Sequence, residues 1–176
     1  MLERPLAGEY GSHFEPYVEK VPDVDLAVLL ESQIEECIQL LSGISEEQSK
    51  FRYAEGKWSL KEVLGHIADT ERIMSYRLLR IARGDKTPLP GFEENLFVAH
   101  SQADTRSIND LLQDFAAVRI ATLSLFRQLD DEAWMRVGNA SGHDTTARAI
   151  AYIIAGHAIH HMGIMKDRYL SAIQDQ

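Results

Sequence analysis

The chain has 176 residues, of which 45% are hydrophobic and 26% charged. These are ordinary proportions for a soluble globular domain, and the length buries a core without staples. A net charge of −9, with the basic residues scattered among acids, argues against nucleic acid or an anionic membrane as the principal partner. The single cysteine, Cys37, excludes an internal disulfide and suits a reducing compartment.

Residues 1–21 read as an N-terminal arm, and residues 22–176 as one helical domain. The arm lacks the apolar run of a signal peptide, and no later stretch approaches the roughly 18 apolar residues of a membrane span. The expectation is a cytoplasmic protein. A first helix is predicted from Pro22-Asp23 to Leu41, with Leu26, Leu29, Leu30, Ile34, Cys37 and Leu41 as its apolar stripe and Gly43 as its stop. Cys37 falls in that stripe and reads as a small core residue. Gln33 lies near the same phase and is a candidate to line a pocket.

A second helix opens at Trp58-Ser-Leu-Lys-Glu62, where Ser59 and Glu62 have the spacing of a capping box. It runs through Val63, Leu64, Ile67, Met74, Leu78 and Ile81 to a stop at Gly84. The connection from Asp85 to Arg106 holds Pro88, Pro90 and Gly91 and is long enough to cross a bundle. A third helix is predicted from Ser107 to Leu129, and a fourth from a cap at Thr145 or Thr146 to about Tyr169. The fold class is therefore all-α: a four-helix bundle with one long crossover, helices two and three parallel, helices two and four antiparallel.

The fourth helix carries the chemistry. His157 and His161 lie four residues apart among Ile150, Ile153, Ile154, Ile164 and Met165. That spacing puts two imidazoles on one inward face, one turn apart. His66, on the second helix, supplies a third ring at a matching depth if the two helices run antiparallel. Three neutral imidazoles form an open site for one borderline divalent ion, zinc or nickel first, with positions left for water or a substrate thiol. The bland alternative is a set of core histidines hydrogen-bonded to neighbours.

His160 is rotated about 100° from His161 and reads as a supporting or interhelical contact. His13, His100 and His143 read as solvated. Glu62 and Asp69 are candidate partners for His66; Asp69, Glu71 and His160 are candidate proton carriers by sequence proximity alone. Gly65, Gly156 and Gly163 flank the three histidines, which suggests close helix approach or room for a bound molecule, with ordinary small-residue packing as the alternative. Glu-x-x-His pairs, His-Glu-x-x-His, Cys-x-x-Cys-His and Gly-rich phosphate loops are all absent.

Trp58-Ser-Leu-Lys-Glu-Val-Leu-Gly-His66-Ile-Ala-Asp69, with Glu71-Arg72, resembles the second helix of the DinB/YfiT-like superfamily. Gly156-His157-Ala-Ile-His160-His161-Met-Gly163 resembles its fourth-helix signature, and Pro88-Leu-Pro-Gly-Phe92 resembles a crossover common in one branch. The resemblance spans nearly the whole chain. It implies an up-down-down-up four-helix bundle, one divalent metal (nickel or zinc) held by His66, His157 and His161, and a homodimer. It also implies a small-molecule substrate, with either hydrolase chemistry or S-transfer and isomerisation using a low-molecular-weight thiol. The leading expectation is thus a metal-dependent enzyme that activates water or such a thiol. The alternatives are a non-catalytic small-molecule-binding or stress-response module, and a structural metal or polar core.

Overall fold

A computed structural model describes residues 2–174; Met1 and residues 175–176, the outer ends of the expected arm and domain, lie outside the described residues. Four long helices dominate: α2 (Leu26–Leu40), α3 (Leu60–Ala82), α5 (Ile108–Phe126) and α7 (Ala147–Ile164). Shorter ones punctuate the connections: α1 (Glu15–Val18), α4 (Glu94–His100), α6 (Asp131–Met135) and α8 (Ser171–Gln174).

Local capping explains where the helices begin. Ser59 and Glu62 form the reciprocal box at the start of α3, satisfying two otherwise orphaned backbone donors. Ser107 and Thr146 cap α5 and α7 through their hydroxyls. The first long helix starts later than its composition suggests. Asp25, not Pro22 or Asp23, accepts the amides of Ala27 and Val28, because Asp25 is the acidic residue placed directly before the apolar stripe.

Two apolar clusters fill the bundle. One joins Leu26 and Leu30 to Met74, Leu78 and Ile81, to Leu123 and Phe126, and to Ile150, Ile153 and Ile154. The other joins Cys37 and Leu41 to Leu60, Leu64 and Ile67, to Leu111 and Phe115, and to Ala158, Met162 and Met165. Between them in sequence, on successive helices, fall Gln33, Glu71 and Arg119, all buried. Arg119 clasps Glu71 with three bonds of 2.8–2.9 Å and donates to Leu30 O and Gln33 Oε1; Gln33 Nε2 donates to Ala155 O at 3.1 Å. One polar chain therefore ties all four long helices together at mid-height.

Helix α7 is buried nearly all round, as a helix apolar on every face must be. The N-terminal arm covers the side the other helices leave open. Glu9 accepts from Arg148 and Thr146, Tyr152 donates to Leu2 O, and Val18 and Val21 join the first apolar cluster. The Arg148 guanidinium holds the Glu9 carboxyl down at about 2.

A small antiparallel hairpin precedes α7, β1 (Val137–Ala140) with β2 (His143–Thr146), a feature absent from the all-helical expectation. Its two-residue loop, Ser141-Gly142, has positive φ at both positions, as a type I′ turn requires. Its strands are too short and too polar to show an alternating pattern. Leu89 bonds alongside β1, so the crossover first follows the hairpin and then returns through α4. No helix among the described residues is long and apolar enough to cross a membrane.

Candidate metal centre

The three histidines meet. His66 projects from the second turn of α3 between Leu64 and Ile67; His157 and His161 project from the C-terminal half of α7. One ligand atom from each lies within 4.8 Å of the others, and this is the sole such cluster among the described residues. His66 Nε2 stands 3.0 Å from His157 Nε2. Ring centroids are 4.9 Å apart for His66–His157, 4.7 Å for His66–His161 and 4.4 Å for His157–His161. All three side chains are buried.

Burial sets their protonation. Desolvation pushes His66 down to about 4 and His161 to about 3, and drives His157 well below its ordinary value, with neighbouring rings adding to the shift. All three are neutral at physiological pH, the form that donates a lone pair to a metal. The hydrogen-bond inventory also fits an ion. A 3.0 Å contact between two ring nitrogens satisfies one lone pair at most, and His161 Nδ1 is buried without a partner. Buried polar atoms left in that condition are uncommon and call for a reason. The donor set, three imidazoles with no carboxylate or thiolate in the cluster, suits zinc or nickel.

Several expected supporting residues are placed elsewhere. Glu62 caps α3 and pairs with Arg52, and Asp69 pairs with Arg72 on the surface, so neither steadies His66. Trp58 does, its ring 4.7 Å from that imidazole. Glu71 is spent on Arg119, and Gln33 joins that same network in place of lining a pocket. His160 is half-buried, its ring 4.9 Å from His161 and 5.3 Å from Tyr17. Its neighbour across the gap is therefore the arm, not a bundle helix. His13 and His143 are exposed and face each other at 5.4 Å; His100 is exposed and bonded to Leu96 O.

Of the three flanking glycines, one is sterically required. A Cβ on Gly156 would stand 2.0 Å from the carbonyl oxygen of Tyr17, whereas one on Gly65 would make ordinary contact and one on Gly163 would meet nothing. Gly156 thus admits the arm, and Tyr17 lays its ring edge-on at 5.3 Å from His157. No sequence signal marks Tyr17 as a wall of the site, because its placement depends on a chain crossing.

Beside His161 opens a cavity of about 240 Å³, lined by Tyr53, Lys57, Trp58, Asn95 and Tyr169 among others. It lies where the backbone of the last helix widens into a π-helical stretch, Met165–Leu170, a deformation often found at functional sites. A larger cavity of about 530 Å³ lies at the other end of the bundle, among Leu26, Phe126, Trp134 and Arg148. It holds none of the three histidines.

The sequence matches the DinB superfamily over residues 29–165, which takes in all three histidines. A protein of Oceanobacillus iheyensis named "Putative metal-dependent hydrolase OB0413" is 25% identical over 132 residues, covering 73% of this chain and 74% of that one. Among solved structures, YfiT from Bacillus subtilis, described as a probable metal-dependent hydrolase with an unusual four-helix bundle topology, superposes with a TM-score of 0.75. The identity is 16%, over 98% of this chain and 94% of YfiT. A mycothiol-dependent maleylpyruvate isomerase superposes with a TM-score of 0.64 at 17% identity, over 82% of this chain and 61% of that one. At these identities the structures bear on the fold, a four-helix bundle. By its match across residues 29–165, this chain belongs to the DinB superfamily.

Proposed function

We propose that this protein is a metal-dependent enzyme in which His66, His157 and His161 hold one zinc or nickel ion and a small-molecule substrate enters beside His161. The observation that carries this reading is the convergence of three neutral, buried imidazoles with ligand atoms within 4.8 Å of one another and no fourth protein ligand in the cluster. A divalent ion held by these three residues would supply Lewis acidity and so favour deprotonation of a water or a thiol. The chain's own residues do the rest. Trp58 packs on His66 and Tyr17 on His157, fixing ring orientation and keeping bulk water off two sides. His160, half-buried next to His161, is the side chain placed to carry a proton between the cluster and solvent.

The reaction we propose is hydrolysis or transfer to a low-molecular-weight thiol. The name of the Oceanobacillus protein and the description of YfiT favour the first, and the mycothiol dependence of the isomerase favours the second. The up-down-down-up order of the helices is part of the proposal. It is supported by the first half of α3 sharing a core cluster with the last half of α7 and the first half of α5. A cytoplasmic setting fits the one cysteine, whose buried thiol is pushed up to about 12. Homodimer formation rests on the family resemblance, and sedimentation analysis tests it.

Elemental analysis of purified protein, joined to hydrolase and thiol-transfer screens of wild type and His161→Ala, tests the central claim. One equivalent of metal and turnover are expected in the wild type, with both lost in the variant. Full activity after metal stripping would overturn the proposal. Stabilisation by a ligand without product would make the protein a non-catalytic binding module.

A further inference from the structure

The cavity beside His161 has a chemical character of its own. Its volume, about 240 Å³, is below the roughly 300–1,000 Å³ of sites for drug-sized ligands, so its occupant is small. Among its lining residues Lys57 is the one cation, and no carboxylate lines it. That is notable in a chain with a net charge of −9.

The backbone of Lys57 is pinned while its ammonium is not. Arg52 Nη1 donates to Lys57 O at 3.0 Å, Lys57 N donates to Ala54 O at 3.2 Å, and Gly56 before it adopts φ +73°. Arg52 itself is committed to Glu62 and Asp104. Lys57 Nζ has no hydrogen bond or ion pair among the described residues.

The opposite character comes from the π-helical stretch. Tyr169 stands at right angles to Tyr53, ring centroids 5.0 Å apart, and its hydroxyl donates to Trp58 O at 2.7 Å. With that hydroxyl engaged, Tyr169 presents its ring to the cavity, beside Trp58 and Ile164. The lining therefore combines a single cationic residue with an aromatic wall.

We propose that this cavity selects small organic carboxylates, with Lys57 as the anchor for the carboxylate and the Tyr53–Trp58–Tyr169 wall holding a compact apolar or aromatic body. The inference rests on the metal-centre reading only in directing the reacting end of the substrate toward His161. An exposed ion pair of this kind changes affinity by up to about fivefold, and reversing the charge adds repulsion to that loss.

The experiment is calorimetric titration of the full chain, zinc-loaded and metal-stripped, with benzoate, its neutral counterpart benzamide, and inorganic phosphate. Lys57→Glu and Lys57→Arg are titrated alongside, with bound zinc measured in each. Benzoate should bind wild type and Lys57→Arg alike and Lys57→Glu about tenfold more weakly, while benzamide does not distinguish them. The Lys57 dependence should persist without metal. Equal benzoate affinity for wild type and Lys57→Glu, no benzoate binding, or tighter binding of phosphate than of benzoate would overturn the proposal. Failure of the metal-centre reading shows separately, as absence of bound zinc in the wild type.

Discussion

Two buried polar groups in this bundle are built on opposite rules. At mid-height, Glu71, Arg119, Gln33 and Ala155 O form a chain in which the guanidinium, carboxylate and amide all find partners. One turn away, His66, His157 and His161 share a single nitrogen-to-nitrogen contact of hydrogen-bond length and leave His161 Nδ1 unpartnered. A satisfied network rigidifies a core; a group of buried donors that do not satisfy each other is costly unless something else completes it. The first arrangement therefore reads as structure and the second as a receptor. Their adjacency matters, because Ala155 lies two residues before His157, so the network fixes the helix segment that presents the rings.

The largest expected effect comes from breaking the satisfied group. Glu71→Ala leaves the Arg119 guanidinium buried and uncompensated, and should cost about 3–5 kcal/mol in denaturant unfolding. A loss smaller than that of His161→Ala in metal-free protein would erase the contrast between the two groups. Next comes completion of the histidine group by zinc. At a free ion concentration one hundred times the dissociation constant, wild type should gain about 2.7 kcal/mol, and His161→Ala should gain little. Equal thermal shifts in both proteins would place the ion elsewhere.

Gly156→Ala sets the new methyl against the Tyr17 carbonyl. Overpacking of this kind costs roughly 1–3 kcal/mol, partly offset by about 1 kcal/mol of improved helix propensity. Faster proteolysis of the arm at unchanged secondary structure would show the release directly; an arm as resistant as the wild type's would contradict the close approach.

A last contrast between the two groups runs through pH. His66 and His161 titrate in the fold near 4 and 3, below the unfolded value of about 6.5. As pH falls below that value the unfolded chain takes up protons first. Metal-free protein should lose up to about 1.4 kcal/mol per pH unit for each buried histidine between roughly pH 6.5 and 4, and nothing from this source above 6.5. Denaturant midpoints measured across that range should fall less steeply for His161→Ala than for wild type. Identical slopes would mean His161 is not held neutral by burial.

Much of this was legible in the chain itself, and for local reasons. The Ser59–Glu62 box, the start of a helix at Ser107, a hydroxyl cap at Thr145 or Thr146, the apolar stripes and the four-residue spacing of His157 and His161 all follow from contacts within a turn or two of helix, and the structure chose Thr146. So does the exclusion of His160 from the inward face. Where a property depended on which distant segment comes alongside, the chain was silent. Glu71 and Gln33 looked like site residues until Arg119, from another helix, claimed both. Gly156 marked a close approach without naming Tyr17 as its cause. The hairpin at residues 137–146 hid in strands too short for a pattern, and the aromatic wall around Lys57 required a π-helical stretch that no local propensity announces. Hydrogen bonds inside a helix are set by neighbours in sequence; burial, desolvation and the pairing of charges are set by neighbours in space.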